Sequence, residues 1–225
     1  MQGKLILVRH GQSEYNAQGL FTGLHDPALT SLGIAQARMC AKFINRRWRV
    51  DGIACSHLSR ARQTVSTMQP LLYHSPPICA EDVRLNERDY GALSGMSKQS
   101  VAEKYGSDTL AQWRRSFDAA PPQGESLADT QERVIACYQD TLLPLRQMGK
   151  NILVVAHGNS IRALLMSLLD ITPNDVAGLE IGWCSPWIVS SLGCKQYVAF
   201  AQRDTSDNNH FPSAAMTPNV RACLV

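Results

Sequence analysis

"LILVRHGQSEYN", residues 5–16, begins as an apolar run and stops at Arg9-His10-Gly11; "ILVVAHGNS", residues 152–160, repeats the pattern far along the chain. Neither run alternates polar with apolar residues. A short continuous apolar run reads as a strand buried on both faces, as in parallel sheets covered by helices above and below. Ligands of such sheets bind beyond the carboxyl ends of the strands. Two strands that both end in His-Gly-[Gln/Asn]-Ser therefore bring two histidines to one edge, facing a common cleft.

Working outward, "LTSLGIAQARMCAKFINRRW" (29–48) carries Leu32, Ala35, Met39, Phe43 and Ile44 near helical spacing, with Thr30 or Ser31 as N-cap. "DGIACS" (51–56) reads as a second strand, and "RARQTVSTMQPLL" (60–72) as a helix that Pro70 bends or ends. "PICAEDVRL" (77–85) is a third extended stretch, followed by short helices in "SKQSVAEKYG" (97–106) and "TLAQWRRSF" (109–117) and a break at "AAPPQG" (119–124). The segment 125–149 starts acidic and ends on glycine, which predicts one long helix leading into the strand "NILVVAH" (151–157). A helix at "SIRALLMSLL" (160–169), a short one opened by Thr172-Pro173, and the strands "PWIVSSL" (186–192) and "QYVAF" (196–200), joined by a turn at Gly193, complete the pattern. Alternating strands and helices predict an α/β fold, a three-layer sandwich with a mainly parallel central sheet and helices on both faces. The expected organisation is a single domain over 1–203 and a loosely ordered tail over 204–225, rich in Asn, Ser, Pro and Thr.

A chain of 225 residues can bury roughly 70% or more of its unfolded surface, so a substantial core is available. With 44% hydrophobic and 18% charged residues it falls in the globular class, and no apolar run approaches the ~20 residues a membrane helix needs. The opening "MQGKLILVRH" is too short and too soon polar for a secretory leader, which leads to the expectation of a cytoplasmic protein. Seven scattered cysteines with no C-x-x-C pair read as reduced and mostly buried thiols, not as a zinc site. A net charge of +3 without an aromatic-basic ladder argues against nucleic acid.

The chemistry lies in the motifs. Arginine binds phosphate through parallel hydrogen bonds, and backbone N–H groups after a strand complete an anion cradle. Arg9 beside His10, with a second His-Gly at 157–158, has that composition. A neutral histidine oriented through its other ring nitrogen can attack phosphorus and form phosphohistidine, which requires no metal. The sequence has neither a Lys-Ser/Thr P-loop nor a paired-aspartate pattern for magnesium. Ser13 and Ser160 read as backbone or helix-cap residues, not nucleophiles. His25, His57, His74 and His210 read as surface residues, Trp113 as packing and Cys55 as a small buried thiol.

"LVRHGQSEYNAQGLFTG", "LTSLGIAQA", "CSHLSRARQT", "RLNERDYGALSGMSK", "WRRSFD", "PPQGESLADT" and "VVAHGNSIRALL" occur in this order and resemble the histidine phosphatase superfamily, within it the cofactor-dependent phosphoglycerate mutases. The resemblance covers residues from about 4 to 180. It implies that His10 is phosphorylated, that Arg9, Arg60 and His157 surround the phosphoryl group, and that Glu87 gives and takes a proton. A carboxyl beside a dianionic phosphate holds its proton more tightly, which suits that exchange. It further implies that Ser13, Asn16, Thr22, Gly23, Gly158 and Asn159 line the pocket, and that Arg88, Tyr90, Lys98, Arg114 and Arg115 hold the rest of the substrate. Alone, Arg114-Arg115 would read as a solvated helix face; a substrate carrying a carboxylate and a phosphate calls for a second basic group. The implied reaction is the interconversion of 3-phosphoglycerate and 2-phosphoglycerate in glycolysis and gluconeogenesis, with 2,3-bisphosphoglycerate as phosphoryl primer, no metal, and a homodimer or homotetramer as the assembly. "IGWCSPWIV" (181–189) departs from the Thr-Gly-x-Pro segment usual in these mutases, placing Trp183 and Cys184 there. The alternatives are a metal-independent histidine-type phosphomonoesterase acting on a small phosphorylated metabolite, and a phosphate-binding domain without turnover.

Overall fold

In a computed structural model, which describes residues 2–176, 178–192 and 195–200, six strands form one sheet in the order β3-β2-β4-β1-β5-β6. The strands are β1 (Leu5–Arg9), β2 (Gly52–Cys55), β3 (Ile78–Glu81), β4 (Ile152–Ala156), β5 (Trp187–Leu192) and β6 (Lys195–Phe200). β3, β2, β4 and β1 run parallel, while β5 is antiparallel to β1 and β6 to β5. The Gly193 turn and the 204–225 tail lie outside the described residues.

The helices are α1 (Glu14–Ala17), α2 (Ser31–Asn45), α3 (Ser59–Met68), α4 (Lys98–Tyr105), α5 (Ser107–Arg115), α6 (Leu127–Cys137), α7 (Leu143–Gln147), α8 (Gly158–Leu168) and α9 (Pro173–Val176). Alternate residues of the apolar strands feed opposite faces. Leu5, Leu7, Ile152 and Val154 pack with Val134 and Leu142 beside Ile161 and Leu164, whereas Ile6, Val8, Leu153 and Val155 pack with Ala37 and Ile44 beside Ala61 and Val65. These are the two cores of the expected three-layer sandwich. A smaller cluster of Phe21, Leu93, Val101 and Leu110, with Tyr90 and Trp113 against it, joins α4 and α5 to the residues before them.

Four expectations need correction. In α2 the buried face is Gly33, Gln36, Ala37, Cys40, Ala41 and Ile44, while Leu32 is 52% exposed and Ala35 also faces solvent. Small residues win that face because the helix lies so close to the loop after β1 that a Cβ on Gly33 would stand 2.2 Å from the Gln12 carbonyl oxygen. The extended stretch expected over 77–85 is strand only over Ile78–Glu81; Asp82 then accepts a hydrogen bond from Arg84 N–H and starts a 3-10 turn. The 125–149 helix is interrupted by a π segment at Tyr138–Leu142 just before Pro144. Pro144 has no N–H to give to the Asp140 carbonyl, and its ring crowds that carbonyl, so the preceding turn widens. The helix after β4 begins at Gly158, two residues before the expected Ser160, with His157 itself as N-cap.

Candidate active site

The register of the sheet assembles the site. Arg9 of β1 pairs with Ala156 of β4, so the next residue on each strand is a histidine, and the His10 N–H continues the ladder to the Ala156 carbonyl at 3.0 Å. The two imidazole rings stand 4.9 Å apart between centroids, and both are buried.

His10 Nδ1 lies 2.6 Å from the Gly11 carbonyl oxygen. A carbonyl only accepts, so Nδ1 carries the proton and Nε2 keeps its lone pair. Burial pushes the His10 pKa well below its ordinary value, and the charges of Arg60 and Arg9 push the same way. Thr64, on α3, receives the Gly11 N–H at 3.1 Å and donates to the Arg60 carbonyl, which ties the loop to that helix. His157 shares a 2.5 Å hydrogen bond between Nε2 and Ser56 Oγ, at the end of β2, and its pKa is also lowered, by burial first and then by Arg60. Its Nδ1 has no partner among the described residues.

Both histidines therefore take up protons more readily in the unfolded chain than in the fold. The stability this gives is complete above their ordinary pKa near 6.5 and is lost as pH falls below it, by no more than the one-proton limit of about 1.4 kcal/mol per pH unit for each. Thermal denaturation between pH 7.5 and 5 should show the fall, and the fall should shrink in His10→Gln. An equal fall in both chains would contradict the assignment.

Arg60 is fully buried and donates Nη1 to the His25 carbonyl at 2.8 Å and Nη2 to the Gly23 carbonyl at 3.0 Å; burial lowers its pKa to about 10. Gly23 sits at φ +52°, where an added Cβ would meet Tyr90 N at 2.9 Å, so the Thr22-Gly23 turn needs glycine. Arg9 donates Nη1 to the Ile181 carbonyl at 2.8 Å, and its guanidinium lies over the Trp183 ring at 5.4 Å. Cys184, whose N–H reaches the Arg9 carbonyl at 2.9 Å, has φ +49°, a conformation that glycine adopts without strain. Arg9, Arg60 and Arg88 each keep a buried Nε–H with no acceptor among the described residues.

Glu87 is buried and accepts at Oε1 from the N–H of Arg88 (2.9 Å) and of Asn159 (3.1 Å). A Cβ on Gly158 would stand 3.7 Å from both Glu87 Oε2 and the Arg9 guanidinium carbon. That is ordinary van der Waals contact, so Gly158 lies directly against both groups. Arg88 runs beneath the Tyr90 ring at 4.7 Å and donates to the Trp113 carbonyl. Lys98, at the start of α4, has its pKa lowered by partial burial first and then by the positive charges of Arg114 and Arg9. Arg114 and Arg115 are exposed in the last turn of α5. Ser13 caps α1 by accepting the Asn16 N–H, while the Asn16 side chain accepts the Ser13 N–H, so this pair closes a reciprocal cap beside the His10 loop. Ser160 Oγ donates to the Asn86 carbonyl, and His25, His57 and His74 are exposed; His210 lies outside the described residues. Cys55 is buried with its thiol pushed up to about 12, which makes it inert. Cys40, Cys137 and Cys184 are buried too, Cys79 is exposed, and Cys194 and Cys223 are outside the described residues.

Four contributors were not legible in the motifs: Ser56 on His157, Thr64 under Gly11, Arg133 and Arg162. Arg133 donates to the carbonyls of Arg84, Asn86 and Glu87 and to the Glu125 carboxylate, fixing the irregular stretch that carries Glu87. Arg162 is three residues beyond Asn159 on α8 and donates to its side chain. Such spacing on one helix face was the available signal. Among the described residues no group of three or more His, Cys, Asp or Glu side chains could hold a metal ion, and no helix is long and apolar enough to cross a membrane.

Two histidines side by side at the ends of parallel strands, backed by buried arginines, define the class, and the chain belongs to the histidine phosphatase superfamily (branch 1), whose sequence profile matches residues 5–201. More narrowly, the chain is similar to the 2,3-bisphosphoglycerate-dependent phosphoglycerate mutase of Methylorubrum extorquens (strain PA1), 43% identical over 189 residues, 84% of this chain and 89% of that protein. The enzyme of the same name from Cytophaga hutchinsonii is 44% identical over 182 residues, 81% of this chain and 84% of that one. Among solved structures, a mycobacterial glucosyl-3-phosphoglycerate phosphatase complexed with VO3 has a TM-score of 0.75 at 26% identity, covering 88% of this chain and 98% of that one. Bacillus stearothermophilus YhfR, at a TM-score of 0.77 and 23% identity over 88% of this chain and 96% of that one, has the same fold.

Proposed function

We propose that the protein interconverts 3-phosphoglycerate and 2-phosphoglycerate in the cytoplasm, in glycolysis and gluconeogenesis, by way of phosphohistidine at His10, within one catalytic domain over 1–203. The observation that carries this reading is the neutral His10, with Nδ1–H tied to the Gly11 carbonyl and two arginine charges against it. Two buried groups without a hydrogen-bond partner among the described residues, Arg9 Nε and His157 Nδ1, suit the doubly charged phosphoryl group. 2,3-Bisphosphoglycerate supplies the first phosphoryl group when bound, and the chemistry requires no metal.

In this reading His10 Nε2 attacks phosphorus as the P–O bond breaks, and the leaving oxygen takes a proton from Glu87. Glu87 suits the role because two N–H groups fix Oε1, while Oε2 lies against Gly158. On return, a substrate hydroxyl gives its proton to Glu87 and its oxygen attacks the phosphoryl group, releasing neutral His10. Lys98, whose charge interacts with those of Arg114 and Arg9, suits with them a substrate carrying a carboxylate as well as a phosphate. Asn16, Thr22, Gly23, Tyr90 and Asn159 line the pocket in this reading, and Arg115 adds charge at its rim.

A phosphomonoesterase would use the same His10 with water as acceptor, and the 26% identity to a phosphatase structure keeps that reading in play. The test supplies 3-phosphoglycerate with and without catalytic 2,3-bisphosphoglycerate, in excess EDTA, and follows 2-phosphoglycerate and free phosphate. The proposal expects fast, bisphosphoglycerate-primed interconversion with little phosphate release. Phosphate release alone would establish the hydrolase, and no turnover would leave only a binding domain.

A further inference from the structure

Asn159 links Arg162 to Tyr90. Arg162 donates Nη1 to Asn159 Oδ1 at 2.6 Å, and Asn159 Nδ2 donates to the Tyr90 hydroxyl oxygen at 3.1 Å. The guanidinium itself cannot turn away, because Nε and Nη2 grip the Leu179 carbonyl at 3.1 and 2.9 Å. The Tyr90 ring is fixed as well, with Arg88 at 4.7 Å and the Phe21 ring at 4.8 Å.

The two ends of this relay are chemically unequal. Arginine only donates, whereas a phenol can donate or accept. If the Asn159 amide turned over, its NH2 would face the Arg162 N–H, donor against donor, while Tyr90 could accommodate either orientation. Arg162 alone therefore decides which way the amide points. With Oδ1 toward Arg162, the Tyr90 oxygen receives a proton from Asn159, and its own O–H is left to donate elsewhere.

We propose that Arg162 is a positioning residue that, through Asn159, sets the polarity of the Tyr90 hydroxyl so that its proton is presented to the anionic substrate. This rests on the reading above of Tyr90 as a substrate-holding group. The Arg88 guanidinium lies 4.7 Å from the Tyr90 ring, and Arg9, Lys98 and Arg162 each interact electrostatically with Tyr90, so the hydroxyl belongs to a cationic neighbourhood. Without Arg162 the amide can turn, Tyr90 O–H then donates to Oδ1, and the substrate meets a lone pair in place of a proton.

The test is a double-mutant cycle read as affinity for 3-phosphoglycerate by calorimetry, alongside nitrogen-15 NMR of the Asn159 side-chain amide in the free protein. Tyr90→Phe and Arg162→Met should each weaken binding by about tenfold or more, the loss of a hydrogen bond to a charged group. The double variant should be no weaker than either single one, and Arg162→Lys, which keeps a donor for Oδ1, should recover part of the loss. The Asn159 amide protons should exchange faster in Arg162→Met than in the unaltered protein. Multiplying losses in the double variant, or an Asn159 amide unaffected by Arg162→Met, would overturn the proposal. Failure of the unaltered protein to bind 3-phosphoglycerate would instead overturn the substrate reading, and the NMR comparison would still judge the Arg162–Asn159 link.

Discussion

Incubated with radiolabelled 2,3-bisphosphoglycerate, the unaltered protein should acquire an acid-labile label, and His10→Ala should acquire none. Turnover of the variant should fall by roughly 10⁴-fold or more, since the group that divides one hard step into two easier ones is gone. The prediction rests on the difference between two histidines in almost the same setting. Both are buried beside Arg60, and both are held neutral. His10 gives its Nδ1–H to a carbonyl, which leaves a lone pair on Nε2, whereas His157 has Nε2 engaged by Ser56. Leu58 N–H already occupies one lone pair of Ser56 Oγ at 3.3 Å, which favours Oγ–H donating to His157 Nε2 and a proton on Nδ1. His157 is then a donor to developing charge, and His157→Ala should still accept the label, about 10²- to 10³-fold more slowly. A label that survives His10→Ala and vanishes in His157→Ala would reverse the two roles.

The fold was readable because β1 and β4 are apolar on both faces, which is what a sheet covered on both sides demands of its strands. The pairing of His10 with His157 was readable because both strands end on the same dipeptide. Other parts were hidden for physical reasons. The buried face of α2 is made of Gly33, Ala37, Cys40 and Ala41, and small side chains leave a weak hydrophobic signal even where contact is closest. Leu32 carried the stronger signal and faces solvent. Ser56, Thr64, Arg133 and Arg162 act by hydrogen bonds to groups distant in sequence, and no local spacing announces a partner 101 residues away, as between Ser56 and His157. Pro144 was visible, yet its effect is felt one turn earlier, where the backbone widens to remain helical. Trp183 and Cys184 stood out as an unusual pair, and the structure sets them against Arg9, the one by its ring and the other by its N–H.

Replacing Gly33 with alanine should destabilise the protein and slow phosphoryl transfer, although helix propensity alone argues the opposite. Alanine is favoured over glycine inside a helix by about 1 kcal/mol. Against that, the new Cβ would stand 2.2 Å from the Gln12 carbonyl oxygen and 2.9 Å from Gln12 N, both backbone atoms that cannot swing aside. Gly11 makes the reciprocal contact, its own missing Cβ lying 2.3 Å from the Gly33 carbonyl oxygen. Relief requires α2 to retreat from the loop, which strains the bond from Gln12 N–H to Gln36 Oε1 and the two from Thr30, one by its N–H and one by its hydroxyl, to the Gln12 carbonyl. Overpacking of this kind costs about 1–3 kcal/mol and more when backbone must move, so the clash outweighs the propensity gain. The net loss should be about 2 kcal/mol, a fall in Tm of roughly 4–8 °C for a chain of this size. The same movement carries the Gly11 carbonyl that fixes His10 Nδ1, and a misplacement near 1 Å can cost about 100-fold in rate. Differential scanning calorimetry with the rate of His10 labelling checks both halves. A Gly33→Ala chain with a raised Tm and an unchanged labelling rate would show that the α2 contact does not hold the nucleophile in place.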